Sequence, residues 1–226
     1  MPRIALVHAL AASVAPIEAE LSRLWPEARR MNLLDDSLAA DLAAGGRLDA
    51  AMTGRFLALA AYARGTGADA LLFTCSAFGP CIGAVKAAHP GWPVLAPNEA
   101  MVDEALAAAQ AGGCAIGLVA SFAPTLASMP AEFSAVDAGV SLHTALADGA
   151  LAALQAGDPA RHDAAVVAAA RRLVQDHGCG VVALAQFSLA RAAGSVRDAL
   201  GPGVAVFTTP TSAANRLRVR VAMSNG

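Results

Sequence analysis

The sequence predicts an α/β fold made of two similar lobes, each a parallel sheet with helices on both faces. The first observation is that the strand-like segments are continuous apolar runs, which is typical of strands buried on both faces. The second is that Ala-rich segments with helical periodicity separate these runs. The third is that the same motifs recur in the same order about 112 residues apart. The chain has 226 residues, 56% hydrophobic and 15% charged, so it can bury a large core.

Eight strands are predicted along the chain. They cover residues 3–9, 28–34, 70–76, 93–97, 114–120, 140–145, 180–186 and 204–210. Helical patterns fill the connections, for example at residues 50–67 and 160–178. Both of these patterns end in glycine, as helices often do.

An internal repeat links the two halves. "IALVHALAAS" (4–13) matches "IGLVASFAPT" (116–125) at an offset of 112, and "GADALLFTCS" (67–76) matches "GCGVVALAQF" (178–187) at 111. "VLAPNEAM" (94–101) matches "FTTPTSAA" (207–214) at 113. The alternative, that all strand–helix units look alike, stays open. The repeat predicts lobes related by a pseudo-twofold axis, with residues 1–97 and 207–226 in the first and 98–206 in the second.

The repeat also predicts where a ligand binds. Ligands of parallel α/β sheets bind beyond the carboxyl ends of the strands, so two such lobes would enclose a cleft between equivalent strand ends. Cys75 and Gln186 are equivalent in the repeat, as are Ala9 and Ser121. We therefore expect Cys75 and Gln186 to approach a ligand from opposite sides of an inter-lobe cleft.

Composition and spacing argue against several function classes. The net charge is −2 and no basic block occurs, so no footprint for nucleic acid is visible. No apolar run reaches the roughly 18 residues of a membrane span, and the first residues lack a signal-peptide layout. A cytoplasmic protein without a membrane partner is the expectation. No GxGxxG follows the first strand, which disfavours a flavin or nicotinamide enzyme.

The four cysteines show neither a CxxC pair nor zinc-finger spacing to histidine, so a metal site is not expected and some thiols should be free. Cys75 ends a predicted strand, ahead of a turn into a helix. Such a setting favours an anion and would lower the pKa of the thiol. Cys81 is expected to pack in the core, and Cys114 and Cys179 to be structural.

The motifs "TCSAFG", "IGLVAS" followed by "FAPT", and "AQFS" together resemble the aspartate/glutamate/hydantoin racemase superfamily, which also includes maleate isomerase and arylmalonate decarboxylase. The resemblance covers nearly the whole chain. It implies one catalytic cysteine per lobe, with thiols that exchange a proton on opposite faces of a carbon next to a carboxylate or carbonyl. It also implies no metal or cofactor, and a homo-oligomer, a dimer or larger.

The chain keeps the first family cysteine as Cys75 but has Gln186 at the second position. A glutamine amide does not titrate near neutral pH, so a second acid or base would have to come from His8 or Glu99. The expected function is a cofactor-independent racemase or isomerase that acts on a small carboxylate or carbonyl compound through Cys75. The alternatives are a decarboxylase of a malonate-like acid and a non-catalytic protein that binds a small anion.

The predicted site has two groups of residues. The catalytic candidates are Cys75, His8 and Gln186. The substrate-binding candidates lie at or after predicted strand ends; they are Ser76, Ala77, Ser121, Phe122, Phe187, Ser188, Asn32 and Thr209. The hydroxyl groups among them can also cap helices and form turns, and the two roles can coexist.

Overall fold

The computed structural model describes residues 1–45 and 47–224. The chain divides into two compact units. Unit 1 comprises Met1–Pro97 and the C-terminal segment from Ala213, and unit 2 comprises Asn98–Ser212. Each unit contains a four-stranded sheet in which every strand pair is parallel. The predicted α/β fold with two similar sheets is therefore confirmed.

Unit 1 has the strand order β2-β1-β3-β4. The strands are β1 (Arg3–His8), β2 (Arg29–Leu34), β3 (Ala70–Phe73) and β4 (Val94–Leu95). The helices are α1 (Val14–Leu24), α2 (Ser37–Gly45), α3 (Ala50–Gly65) and α4 (Gly79–Ala88). Short 3-10 turns at Ala11–Ser13 and Ser76–Phe78 precede α1 and α4.

Unit 2 has the strand order β6-β5-β7-β8. The strands are β5 (Ile116–Ala120), β6 (Leu142–Leu146), β7 (Val181–Leu184) and β8 (Ala205–Thr208). The helices are α5 (Glu99–Gly112), α6 (Ala123–Val136), α7 (Ala150–Gln155), α8 (Pro159–His177), α9 (Ala193–Leu200) and α10 (Thr209–Ser224), the last of which continues into unit 1. A 3-10 turn at Phe187–Ala192 precedes α9.

Strand register shows that the two units repeat each other. Leu6 pairs with Asn32 in unit 1, and Leu118 pairs with Thr144 in unit 2, which gives an offset of 112 for both strands. The last strands also align at 112, because Leu71 pairs with Val94 and Val182 with Val206. The offset of 113 expected there from the sequence is therefore wrong by one residue within the strand.

Burial explains why these runs form strands. All four residues of β3 and of β7 are buried, as expected for strands covered on both faces. In unit 1 one face of the sheet packs against an aromatic cluster, in which Phe56 lies 5.2 Å from Phe73 and 4.9 Å from Phe78 between ring centroids. Each such ring contributes about 1.5–3 kcal/mol on burial. Cys75, in the turn that follows β3, packs against the core that contains this cluster.

Local capping fixes the two predicted long helices. The Asp49 carboxylate accepts a hydrogen bond from the Met52 N–H at the start of α3, and Asp158 accepts one from the Arg161 N–H at the start of α8. Helix α8 ends at Gly178, which has the left-handed φ of 64° that glycine adopts without strain. Both helices begin and end within two residues of the predicted bounds.

Candidate active site

Cys75 lies beyond the carboxyl end of β3, in the turn that leads into α4. The chain leaves the sheet at Phe73, and Cys75 still has an extended backbone (φ −128°, ψ 121°) directly before the 3-10 turn. The thiol is half-buried, and the Ala77 backbone N–H donates a hydrogen bond to its sulfur. Ser76 is half-buried and Ala77 is exposed. The structure thus places these three predicted residues together at the strand end.

The environment of Cys75 differs from the expectation in one respect. Burial raises the pKa of the Cys75 thiol, and the hydrogen bond from Ala77 offsets this only in part. The cause is an apolar wall behind the sulfur, formed by residues such as Val7, Leu38 and Phe56, with no room for a water molecule. The predicted lowering of the pKa is therefore wrong for the free protein, in which the neutral thiol is favoured.

Gln186 occupies the corresponding place in unit 2. The chain leaves β7 at Leu184, and Gln186 has an extended backbone (φ −137°, ψ 147°) directly before a 3-10 turn. Its side-chain oxygen Oε1 accepts two hydrogen bonds, from the Ser121 N–H at 2.6 Å and from the Ser121 hydroxyl at 2.8 Å. Ser121 itself follows the carboxyl end of β5.

This contact changes the role expected of Ser121. Ser121 was expected to contact the substrate, but here its N–H and its hydroxyl both donate to Gln186. The side-chain oxygen of the half-buried Gln186 therefore finds its partners within the protein, which removes the cost of an unmade hydrogen bond. Gln186 Nε2 has no hydrogen-bond partner among residues 1–45 and 47–224.

His8 ends β1 as expected, but its ring is enclosed. Its exposed fraction is 0%. Nδ1 lies 2.9 Å from the Thr74 hydroxyl, and Nε2 lies 2.9 Å from the Asn32 side-chain oxygen. Burial lowers the pKa of His8, so the neutral ring is favoured. Because both nitrogens are engaged and no solvent reaches them, the structure does not support the prediction that His8 carries a proton to substrate.

Asn32 also has a structural partner on its other side. Its amide nitrogen donates to Glu18 Oε1 at 2.8 Å, which orients its oxygen toward His8. The predicted substrate contact of Asn32 is therefore not supported. Since Thr74 precedes Cys75 directly, this chain of bonds fixes the backbone from which the thiol projects.

The remaining predicted site residues differ in their exposure to solvent. Ser188 is half-buried in the turn after Gln186, and Phe122 is 49% exposed after β5, so both are accessible. Phe187 is 5% exposed and packs in the core. Thr209 is fully buried and its hydroxyl donates to the Leu184 carbonyl at 3.1 Å. The structure therefore does not support the predicted substrate contacts of Phe187 and Thr209.

An ion pair that the sequence analysis missed anchors the turn after Gln186. Arg191 lies in that turn and forms two bonds to Asp163 of α8, at 2.8 and 3.1 Å. The same carboxylate lies 2.7 Å from Nδ1 of the buried His162. No short motif joins positions 28 residues apart, so only the packing of α8 on this turn reveals the pair.

The other thiols lie away from the carboxyl ends of the strands. All four cysteines are free. Cys81 is fully buried in the core of unit 1, as expected, and its sulfur lies 3.6 Å from the Thr53 hydroxyl. Cys114 and Cys179 precede β5 and β7 at the amino ends of these strands, and burial, with a smaller contribution from Cys114, raises the pKa of Cys179. Glu99, the other candidate proton carrier, begins α5.

Two further observations concern possible metal sites and membrane-spanning helices. Within the described part of the chain, no three His, Cys, Asp or Glu side chains cluster in a way that could hold a metal ion. The helices of the same residues include none with the length and apolar character needed to cross a membrane.

Comparison with a family model now identifies the class of protein. The model of the Asp/Glu/hydantoin racemase family matches residues 11–217. The chain therefore belongs to the Asp/Glu/hydantoin racemase family, which confirms the resemblance carried by the strand-end motifs. A comparison with curated proteins gives no match.

Solved structures of this family share the fold at low sequence identity. Allantoin racemase from Klebsiella pneumoniae has a TM-score of 0.73 and 16% identity, over 99% of this chain and 89% of that one. Glutamate racemase from Francisella tularensis, solved in complex with D-glutamate, has a TM-score of 0.69 and 13% identity, over 99% and 82%. A glycine-to-cysteine mutant of arylmalonate decarboxylase in a sulfate-associated form has a TM-score of 0.63 and 19% identity, over 100% and 95%. At these identities the likeness concerns the fold.

Proposed function

We propose that this chain is a racemase- or isomerase-type enzyme that acts on a small carboxylate or carbonyl compound, with Cys75 as its thiol proton carrier. The observation that supports this most directly is the position of Cys75: it is half-buried beyond the carboxyl end of β3, in a turn whose Ala77 N–H donates to the sulfur. Membership of the Asp/Glu/hydantoin racemase family supports an activity of the racemase or isomerase type.

The proposed chemistry uses one thiol. Gln186 cannot donate or remove a proton near neutral pH, and the ring of His8 is closed off by Thr74 and Asn32. A two-thiol racemisation therefore lacks its second group. Cys75 would exchange a proton on a single face of the substrate carbon, which suits isomerisation. Racemisation would need a second proton carrier, for which Glu99 is the remaining candidate.

The raised pKa of Cys75 favours a second candidate within the same site. In the free protein the proton resides on sulfur, so the group is ready to donate rather than to accept. Decarboxylation of a malonate-like acid needs such a donor: the carbon–carboxylate bond breaks, its electron pair forms an enolate, carbon dioxide leaves, and the thiol transfers its proton to carbon. Solvent then returns a proton to the thiolate. The similarity in fold to an arylmalonate decarboxylase supports this candidate.

A substrate panel in deuterated water tests the proposal. Amino acids, hydantoins, malonates and maleate are incubated with the protein and followed by NMR for deuterium exchange, isomerisation or loss of carbon dioxide. Turnover that disappears in Cys75→Ala and persists in Cys81→Ala supports the proposal. Turnover by none of these compounds favours the alternative of a non-catalytic protein that binds a small anion.

Thiol alkylation is a weaker discriminator. Because burial raises the pKa of Cys75, slow reaction with iodoacetamide is expected of the free protein even if it is an enzyme. Protection of Cys75 by an added carboxylate is informative, since it reports binding beside the sulfur.

A further inference from the structure

The orientation of the Gln186 amide is fixed by its partners. A backbone N–H can only donate, so the atom that faces the Ser121 N–H at 2.6 Å must be the amide oxygen. The Ser121 hydroxyl at 2.8 Å adds a second bond to the same oxygen. A flipped amide would bring an NH₂ group against an N–H donor. The amide nitrogen Nε2 must therefore face away from Ser121.

Nε2 carries two hydrogens for which the protein supplies no acceptor within residues 1–45 and 47–224. Gln186 is half-buried, and Nε2 is not among the buried side-chain atoms that lack a partner, so solvent reaches it. An oriented donor that is open to solvent can exchange a bound water molecule for an acceptor oxygen of a ligand. The side chain thus has one satisfied end and one open end.

The backbone beneath the side chain is also held firmly. The Leu189 N–H donates to the Gln186 carbonyl at 3.0 Å, and Phe187 and Leu189 are buried. The pair of bonds from Arg191 to Asp163 fastens the far end of the same turn to α8. A donor whose side chain and backbone are both held in place loses little freedom when it binds a ligand.

We infer that Gln186 is a fixed hydrogen-bond donor that recognises a carboxylate or carbonyl oxygen of the substrate, and that Ser121 is the residue that positions it. This inference rests on the proposed function. It narrows the substrate class: the group that meets Gln186 is an acceptor oxygen. An ammonium group is excluded at this point because an NH₂ donor offers it no acceptor. Malonate-like diacids and enedioates present such an oxygen.

The orientation is tested first in the ligand-free protein by NMR. The Ser121 amide proton should resonate downfield because of its short bond to Oε1. Gln186→Glu should keep this shift, since a carboxylate accepts from the same two donors, whereas Gln186→Leu should move the resonance upfield. An unchanged Ser121 resonance in Gln186→Leu would overturn the positioning role of Ser121.

The donor role is tested by titration of the labelled protein with malonate and with maleate. The Nε2 proton pair, identified by its loss in Gln186→Glu, should shift on binding while the Ser121 amide stays in place. Gln186→Glu should weaken binding at least tenfold, because it removes the donor and adds a negative charge. Gln175→Glu, the same change at an exposed position of α8, should alter binding less than twofold. Ser121→Ala should fall between these limits, since the backbone N–H still holds Oε1.

The outcomes separate this inference from the proposed function. The donor role is overturned by any one of three outcomes. The Nε2 proton resonances do not shift on addition of ligand, neither diacid binds, or Gln186→Glu binds the diacids as tightly as the wild type. If turnover that depends on Cys75 persists in that case, the proposed function stands and only the inference fails. If turnover is absent but the Nε2 proton pair responds to malonate, the inference about Gln186 stands and the proposed function fails.

Discussion

The turn after β3 and the turn after β7 have the same backbone and different chemistry. Cys75 and Gln186 both have an extended conformation and both precede a 3-10 turn that enters a helix. In unit 1 this position carries a thiol, and in unit 2 it carries an amide whose oxygen is bound by Ser121. The comparison shows that a duplicated frame preserves the place of a functional group, while a single side chain decides whether that place can transfer a proton.

The residues around the two turns differ in a matching way. In unit 1 the polar network lies beneath the strand end, where His8 binds Thr74 and Asn32. The equivalents of His8 and Thr74 in unit 2 are Ala120 and Ala185, which cannot form such a network. Unit 2 instead has Ser121 where unit 1 has Ala9. In unit 1 the polar network therefore holds the backbone next to Cys75, whereas in unit 2 Ser121 binds the side chain of Gln186 itself.

Replacement of the Cys75 thiol should have the largest effect on activity. Cys75→Ser should lower turnover about 10²–10⁴-fold, the usual contribution of a positioned acid or base. The matched control is Cys81→Ala, since Cys81 is a buried thiol six positions later and takes no part in the proposed chemistry. The measurement is kcat/KM with the substrate found by the panel. Equal activity of Cys75→Ser and the wild type would contradict the role of Cys75.

Restoring a thiol in unit 2 should make the turns chemically alike. Gln186→Cys supplies a second proton carrier, so deuterium should enter both faces of the substrate carbon and optical activity should be lost at least about tenfold faster, within the range of acid–base catalysis. Chiral chromatography of the product measures this. Gln186→Ser is the control, because serine is similar in size to cysteine but does not titrate near neutral pH. Equal stereochemical outcomes in the two variants would argue against a role of position 186 in proton transfer.

Removal of the His8 ring should reduce stability and flatten its dependence on pH. His8→Gln disturbs two buried hydrogen bonds and should cost about 1–3 kcal/mol in the free energy of unfolding. Because burial lowers the pKa of folded His8 from 6.5, the unfolded chain binds the proton more readily. The wild type should therefore lose stability as the pH falls below about 6.5, and the variant should lose less.

Urea denaturation at pH 7.5 and 5.5 measures this difference. His89→Gln is the control, because His89 lies at the end of α4 and not at a strand end. A pH dependence in His8→Gln as steep as in the wild type would show that another group is responsible.

An effect on stability alone is expected where the packing of the two sheets differs. Gly117 in unit 2 is equivalent to Ala5 in unit 1. A Cβ at Gly117 would lie 3.0 Å from two atoms of Leu173 in α8. Gly117→Ala should therefore destabilise the protein by about 1–3 kcal/mol through overpacking, seen as a lower urea midpoint. In a protein that already carries Leu173→Ala, the change Gly117→Ala should cost less stability than it does in the wild type, because a smaller side chain faces the new methyl group. Additive effects of the two changes would show that they do not meet.

The sequence by itself determined the framework of this protein. The sequence predicted all eight strands. The signal is strongest for β1, β3, β5 and β7, which are nearly continuous apolar runs because both faces of these strands are covered. The repeat placed Cys75 and Gln186 at equivalent strand ends, since register within each sheet follows the order of such runs. Strand lengths were overestimated: the predicted strand ran from residue 70 to residue 76, yet β3 ends at Phe73 and the chain enters a turn at Ser76.

Only the tertiary structure decided what each polar side chain does. His8 and Thr74 meet across 66 residues of sequence and Ser121 and Gln186 across 65, so no local pattern distinguishes a residue satisfied by the protein from one open to a ligand. The pKa of Cys75 likewise depends on an apolar wall contributed by three separate segments of the chain. Local spacing determines which face of an element a residue occupies, whereas burial and hydrogen-bond partners arise only once distant segments pack together.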